Sequence, residues 1–215
     1  MNPNWLLIRQ ILVCASGTLY WVGVFLLAAV IRRRTGQSAN LKPQTAKERV
    51  LWSGWLIVVV GWIVQPLTVP DIASGPLFAM ISPLDQSVGL VAGALLIVGG
   101  QVGTYWCYWA MGNSWRVGVN RKKAICLVTR GPYARVRHPI YAFQTMMLLG
   151  AACLLPTLMS VLLVALQLVC SYFKALDEER YLTNSLGSSY ASYRNRTGWL
   201  WPRLTSASVE RGVTK

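Results

Sequence analysis

Between Pro139 and Phe173 the chain carries no charged side chain for 35 residues, and that run constrains everything around it. A single helix of that length would measure about 52 Å, against a hydrocarbon core of roughly 30 Å. Pro156 stands in its middle, where a proline removes a backbone hydrogen bond and breaks a helix. A helical hairpin turning near Leu155-Pro156 satisfies both facts. It predicts two apolar helices that cross a bilayer in opposite directions and bring both ends back to one face, at His138 and at Lys174.

Three further apolar runs fit the same solvent. The first spans about Trp5 to Ile31, interrupted by Arg9, which is expected to snorkel near an end, and is stopped by Arg32, Arg33 and Arg34. A second runs from Leu51 to about Leu67, closed by Pro66 and Pro70, and a third from Val88 to Met111. Gly89, Gly93, Gly100 and Gly103 leave notches in the third that would admit another helix closely. Trp106, Trp109 and Trp115 read as an aromatic belt at its end. The expectation is an all-α integral membrane protein of about five transmembrane helices, with the first helix retained rather than cleaved as a leader.

Charge sets the orientation. The connection from Pro70 to Gln86 has no Lys or Arg, whereas Arg32 to Arg49 and Arg116 to Arg137 are basic. The basic loops belong in the cytoplasm, of a plasma (inner) membrane, with the N-terminus outside and the C-terminus inside. A net charge of +14 raises nucleic acid as a partner, but basic residues in short clusters at helix ends suit anionic lipid headgroups instead. Cys14, Cys107, Cys126, Cys153 and Cys170 show no metal-ligand spacing and read as small apolar residues.

The chemistry concentrates in Leu127 to Tyr141, Leu-Val-Thr-Arg-Gly-Pro-Tyr-Ala-Arg-Val-Arg-His-Pro-Ile-Tyr, which holds the chain's one histidine. Pro139 is suited to open the helix, which leaves His138 just outside it, with Arg135 and Arg137 at its positive dipole end. Thirty-odd residues later the chain reads Asp-Glu-Glu-Arg-Tyr-Leu, and Asp177, Glu178 and Glu179 supply three of its seven acidic residues. A basic helix start and an acidic helix exit thus meet on one membrane face. They would suit a zwitterionic cosubstrate, with Tyr133, Tyr141 and Tyr181 against a cationic centre, or they would simply pair with each other and with lipid headgroups. Gly187 is placed to cap the exiting helix.

The order Leu-Val-Thr-Arg-Gly-Pro-Tyr-Ala-Arg-Val-Arg-His-Pro-Ile-Tyr, apolar hairpin, Asp-Glu-Glu-Arg-Tyr-Leu, then Leu-Gly-Ser-Ser-Tyr-Ala-Ser-Tyr-Arg closely resembles the isoprenylcysteine carboxyl methyltransferase family of integral membrane enzymes, from about Trp115 to Pro202. The resemblance implies methyl transfer from S-adenosylmethionine to a lipophilic acceptor that enters from the bilayer, in a cytoplasmic cofactor pocket. It implies Tyr133, Val136, Arg137, His138, Tyr141, Glu178 and Glu179 as cofactor-binding residues. Glu179 and Arg180 are the implied catalytic residues, Arg180 orienting an anionic acceptor. Lipophilic acceptors and membrane lipids are the expected partners, without nucleic acid and without a metal.

The chain departs from the family pattern at Phe143, where glycine is common, at Leu186, and around Gly198-Trp199. Phe143 is expected to narrow the acceptor tunnel. Two other functions compete: an NADPH-dependent membrane sterol or enone reductase, whose 2′-phosphate site the basic loop would supply, and a non-enzymatic lipid-binding subunit. The chain divides into three N-terminal transmembrane helices (1–111), a catalytic half (112–202) and a polar tail (203–215).

Overall fold

The computed structural model describes residues 3–36, 43, 45–69, 75–81, 86–115 and 127–203. Most of the Pro70–Gln86 connection, the basic stretch Arg116–Lys123, Cys126 and the tail from 204 lie outside the described residues. Among the described residues six α-helices follow in order: α1 (Pro3–Thr35), α2 (Ala46–Thr68), α3 (Gln86–Met111), α4 (Pro139–Leu154), α5 (Leu158–Leu186) and α6 (Ser188–Arg196). Four of them, α1, α2, α3 and α5, are long and apolar enough to cross a membrane. The protein is an all-α integral membrane protein.

The predicted hairpin forms, with unequal arms. α4 has 16 residues and α5 has 29, so the arms are about 24 and 44 Å long. The short arm is less than a bilayer core, because Pro139 and the turn at Leu155–Thr157 fix its two ends. The long arm continues past the interface, as the charged sequence after Lys174 indicated. α2 starts at Ala46, five residues before the apolar run, since Thr45 and Glu48 close a capping box there.

α3 and α4 pack backbone to backbone. A Cβ built on Gly100 would lie 2.7 Å from the Phe143 carbonyl oxygen, and one on Gly103 would collide with the Phe143 ring. Phe143 therefore fills a notch between two helices and is not among the residues that line the cavity described below, contrary to the expectation that it narrows a tunnel. Gly93 meets Gly150 in the same seam.

At the end of the bundle away from Lys174, the hairpin turn is held by buried polar groups that pair with one another. Thr157 caps α5 by accepting from the Ser160 N–H, and Gln65 Nε2 donates to Thr157 Oγ1 at 2.8 Å. Arg9 does not snorkel. It is 2% exposed and donates through Nη1 to the Leu154 carbonyl, where α4 ends and its carbonyls lack helical partners. Trp106 and Trp109 are exposed on α3 as a belt would be, but Trp115 is buried edge-on against Tyr108.

Candidate active site

The basic motif and the acidic helix exit come together as one ion cluster, in which His138 is buried and Arg137, Glu178 and Glu179 are partly buried. His138 is the residue preceding α4, and its imidazole lies between two carboxylates, with Nδ1 3.4 Å from Glu178 Oε2 and Nε2 3.3 Å from Glu179 Oε1. Arg137 Nε donates to the same Glu179 oxygen at 2.7 Å. Tyr141, one turn into α4, donates its hydroxyl to Glu178 Oε1 at 2.8 Å and stacks on the His138 ring. Two cations and two anions balance, which lowers the cost of drawing them partly out of water. Burial by itself pushes the His138 imidazole down, but the two carboxylates outweigh it and hold its pKa above the ordinary value.

The motif is held in place by the chain beyond α6. Val136 bridges Gly198 in parallel, Arg137 N–H donates to the Gly198 carbonyl at 2.9 Å, and His138 N–H donates to the Trp199 carbonyl at 3.1 Å. Arg137 Nη1 donates to the Thr197 carbonyl at 2.7 Å and to the Arg194 carbonyl at 3.2 Å. Tyr193 reaches the Tyr133 carbonyl through its hydroxyl. A side chain at 198 would collide with the Trp201 carbonyl, so glycine is required for this close pairing. The departure from the family pattern at Gly198-Trp199 is therefore part of the motif's scaffold.

Next to the cluster is a cavity of about 280 Å³, near the lower end of the roughly 300–1,000 Å³ usual for small-molecule sites. Its polar end is formed by Tyr133, Arg137, His138, Tyr141, Lys174 and Glu178. Its apolar end is formed by Val24 on α1, Leu51, Trp52 and Trp55 on α2, and Cys170 on α5. Burial pushes the Tyr133 phenol well above its usual pKa, so that wall is neutral. Just outside, Lys47 Nζ pairs with Asp177 Oδ1 at 2.6 Å and ties the start of α2 to α5.

The sequence-predicted residues separate into two groups. Tyr133, Arg137, His138, Tyr141 and Glu178 line the cavity. Val136 and Glu179 do not; Val136 anchors the motif backbone, and Glu179 stands behind Arg137 and His138. Arg180 is exposed, and neither it nor Tyr181 is among the lining residues. Lining residues that the motif does not contain include Tyr20, Trp52, Trp55, Gln144 and Ser171. A polar residue recurring within an apolar helix was the available signal for Gln144 and Ser171. The Thr197–Trp199 carbonyls had none, since backbone groups are common to all residues.

A ligand with a cationic centre fits what is present: a carboxylate on the wall at Glu178, aromatic faces at Tyr133 and Tyr141, and apolar lining from α1, α2 and α5.

Comparison with known proteins gives the same direction. The profile of the phospholipid methyltransferase family matches residues 88–189. The chain is 29% identical over 126 residues to the cobalt-zinc-cadmium resistance protein CzcN of Cupriavidus metallidurans, covering 58% of this chain and 52% of that protein. It is 26% identical over 116 residues to the nickel-cobalt-cadmium resistance protein NccN of Alcaligenes xylosoxydans xylosoxydans, covering 54% and 51%. It is 40% identical over 81 residues to the Protein-S-isoprenylcysteine O-methyltransferase of Schizosaccharomyces pombe, covering 37% and 34%. The match thus spans about half the length of the first two relatives and a third of the last. The resemblance of the C-terminal half to the isoprenylcysteine carboxyl methyltransferase family is borne out.

Proposed function

We propose that this chain, a relative of the isoprenylcysteine carboxyl methyltransferases over its C-terminal half, transfers a methyl group from S-adenosylmethionine to a lipophilic acceptor drawn from the bilayer. The observation that carries the reading is the partly buried Arg137–Glu179–His138–Glu178 cluster, three members of which line a cavity that also has apolar lining from α1, α2 and α5.

When bound, the cosubstrate would supply an electrophilic methyl: an acceptor lone pair bonds to the methyl carbon as the sulfur–carbon bond breaks, and that electron pair stays on sulfur. Such a displacement needs alignment and a dry site more than it needs a strong base. Glu178 holds a negative charge on the wall, oriented by the Tyr141 hydroxyl and His138. Glu179 positions Arg137 and His138 from behind. His138 acts here as a held donor. Both of its nitrogens face carboxylates, which leaves it poorly placed to take a proton from an acceptor.

The polar end would face the cytoplasm, because Arg32–Arg34 end α1 and Lys47 begins α2 at the same level as Asp177. The basic loop that a reductase would need for a 2′-phosphate lies at 116–123, outside the described residues.

Calorimetry on detergent-purified protein tests the reading. S-adenosylhomocysteine should bind, and NADPH should not. Binding of NADPH alone would assign the site to a reductase, and binding of neither would leave a lipid-binding subunit.

A further inference from the structure

Deeper than the ion cluster, the cavity wall carries a second set of polar groups, uncharged and on the membrane-spanning helices. Gln144 Nε2 donates to the Tyr20 hydroxyl at 2.5 Å, and the Tyr108 hydroxyl lies 3.4 Å from that of Tyr20. Gln167 Nε2 donates to Gln144 Oε1 at 3.2 Å and to Ser171 Oγ at 3.1 Å. The five residues come from α1, α3, α4 and α5, all five are buried, and all but Gln167 line the cavity.

The polar hydrogens of this set are not all used within it. Two tyrosines, two glutamines and a serine carry seven polar hydrogens. The four hydrogen bonds among them engage four, which leaves three without a partner inside the set. Turning both amides over together reverses the direction of three bonds and leaves that count unchanged, whereas turning one over alone breaks the Gln144–Gln167 bond. An unpaired donor in a dry cavity is costly, so the wall is complementary to a molecule that brings an accepting oxygen. No charged side chain belongs to the set, and Trp52 and Trp55 supply apolar faces opposite.

The set also has a depth. Gln144 is three residues past Tyr141, about 4.5 Å along α4, and Ser171 is seven residues before Glu178, about 10.5 Å along α5. A ligand whose reacting atom sits at the Tyr141–Glu178 level would present its oxygen one to two helical turns deeper. Of the residues around this part of the cavity, Tyr20, Trp52 and Trp55 stand outside the 88–189 segment that matches the family, and Tyr108, Gln144, Gln167 and Ser171 lie within it.

We propose that Tyr20, Tyr108, Gln144, Gln167 and Ser171 form the acceptor-recognition site, and that the acceptor is an uncharged lipophile carrying a carbonyl-type oxygen one to two helical turns below the atom that takes the methyl group. The inference rests on the methyl-transfer reading for the word acceptor. The selectivity of the cavity stands apart from that reading.

The test uses two probes of one shape, 2,3-dimethyl-1,4-naphthoquinone and 2,3-dimethylnaphthalene. The 2,3-substitution blocks thiol addition by Cys170, which lines the same cavity. Calorimetry in detergent on the full chain should give the quinone at least about a tenfold preference over the hydrocarbon. Tyr20→Phe and Ser171→Ala should each reduce that preference at least about threefold. No preference in the unaltered protein, or one that both variants retain, overturns the proposal. Thermal unfolding in detergent, measured in parallel, reports that the variants are folded. Absence of S-adenosylhomocysteine binding to the unaltered protein would sink the methyl-transfer reading alone, since the probe preference is read without it.

Discussion

The Phe143 ring on α4 occupies the notch that Gly103 leaves in α3, and a Cβ at 103 would collide with it. The pair is reciprocal: the large residue is tolerated because the facing helix offers none. Phe143→Gly should therefore destabilise the protein, by about 2 kcal/mol or more, of which roughly 1 is the penalty for glycine inside a helix. Gly103→Ala should destabilise too. The double variant should lose less than the sum of the two, because each change removes the other's clash or void. Thermal unfolding in detergent measures all three. Strict additivity would show that the two residues do not share one packing site.

The two adjacent glutamates should separate by phenotype. Glu178 lines the cavity, whereas Glu179 does not and holds Arg137 and His138, with the Arg137 and Glu179 side chains only 10% and 15% exposed. Glu178→Gln should weaken S-adenosylhomocysteine binding at least about tenfold, roughly 1.4 kcal/mol, with a modest change in unfolding temperature. Glu179→Gln leaves two buried cations with one carboxylate between them, and should lower stability by about 2 kcal/mol even without ligand. Equal effects of both on both measurements would mean the positions are not distinct.

His138 gives a dependence on pH with a fixed sign. Its folded-state pKa lies above the ordinary value near 6.5. The stability that its protonation contributes is then fully present below about 6.5 and is lost as pH rises through the raised value. The difference in unfolding temperature between the unaltered protein and His138→Gln should shrink from pH 6 upward. A difference that grows with pH would show the imidazole to be held neutral.

How much of this was legible in the sequence depends on what each contact is made of. The hairpin followed from 35 uncharged residues around Pro156, whereas a second span begun at Leu51 passes over the Thr45–Glu48 capping pair ahead of it. The cavity-lining residues Tyr133, Arg137, His138, Tyr141 and Glu178 were legible because their chemistry is in their side chains, arranged in a specific order. Arg9 was misread because an arginine near a helix end usually reaches for water, and here the carbonyl of Leu154 competes for it. Phe143 was misread because its partner, Gly103, is defined by an absent side chain. The segment that holds the motif, Thr197–Trp199, acts through carbonyl oxygens, which no residue type announces.

That last segment gives the most direct test of how the site is held. Arg137 and His138 each donate a backbone N–H to it, Val136 bridges it, and Arg137 Nη1 reaches its Thr197 carbonyl. None of these contacts involves the packed α1–α5 bundle, and Gly198 admits them only because it has no Cβ to strike the Trp201 carbonyl. Gly198→Ala should displace the segment and release the Arg137–His138 turn, since several backbone bonds share one register. S-adenosylhomocysteine affinity should fall at least about tenfold. The unfolding temperature of the bundle should fall by only a few degrees, because the lost bonds are few and lie at one end. Hydrogen exchange should show the amides of Arg137 and His138 losing protection while those of Met147 and Leu148, in the middle of α4, keep theirs. Retained protection at Arg137 and His138 would mean that the ion cluster with Glu178 and Glu179 holds the turn without help from the segment.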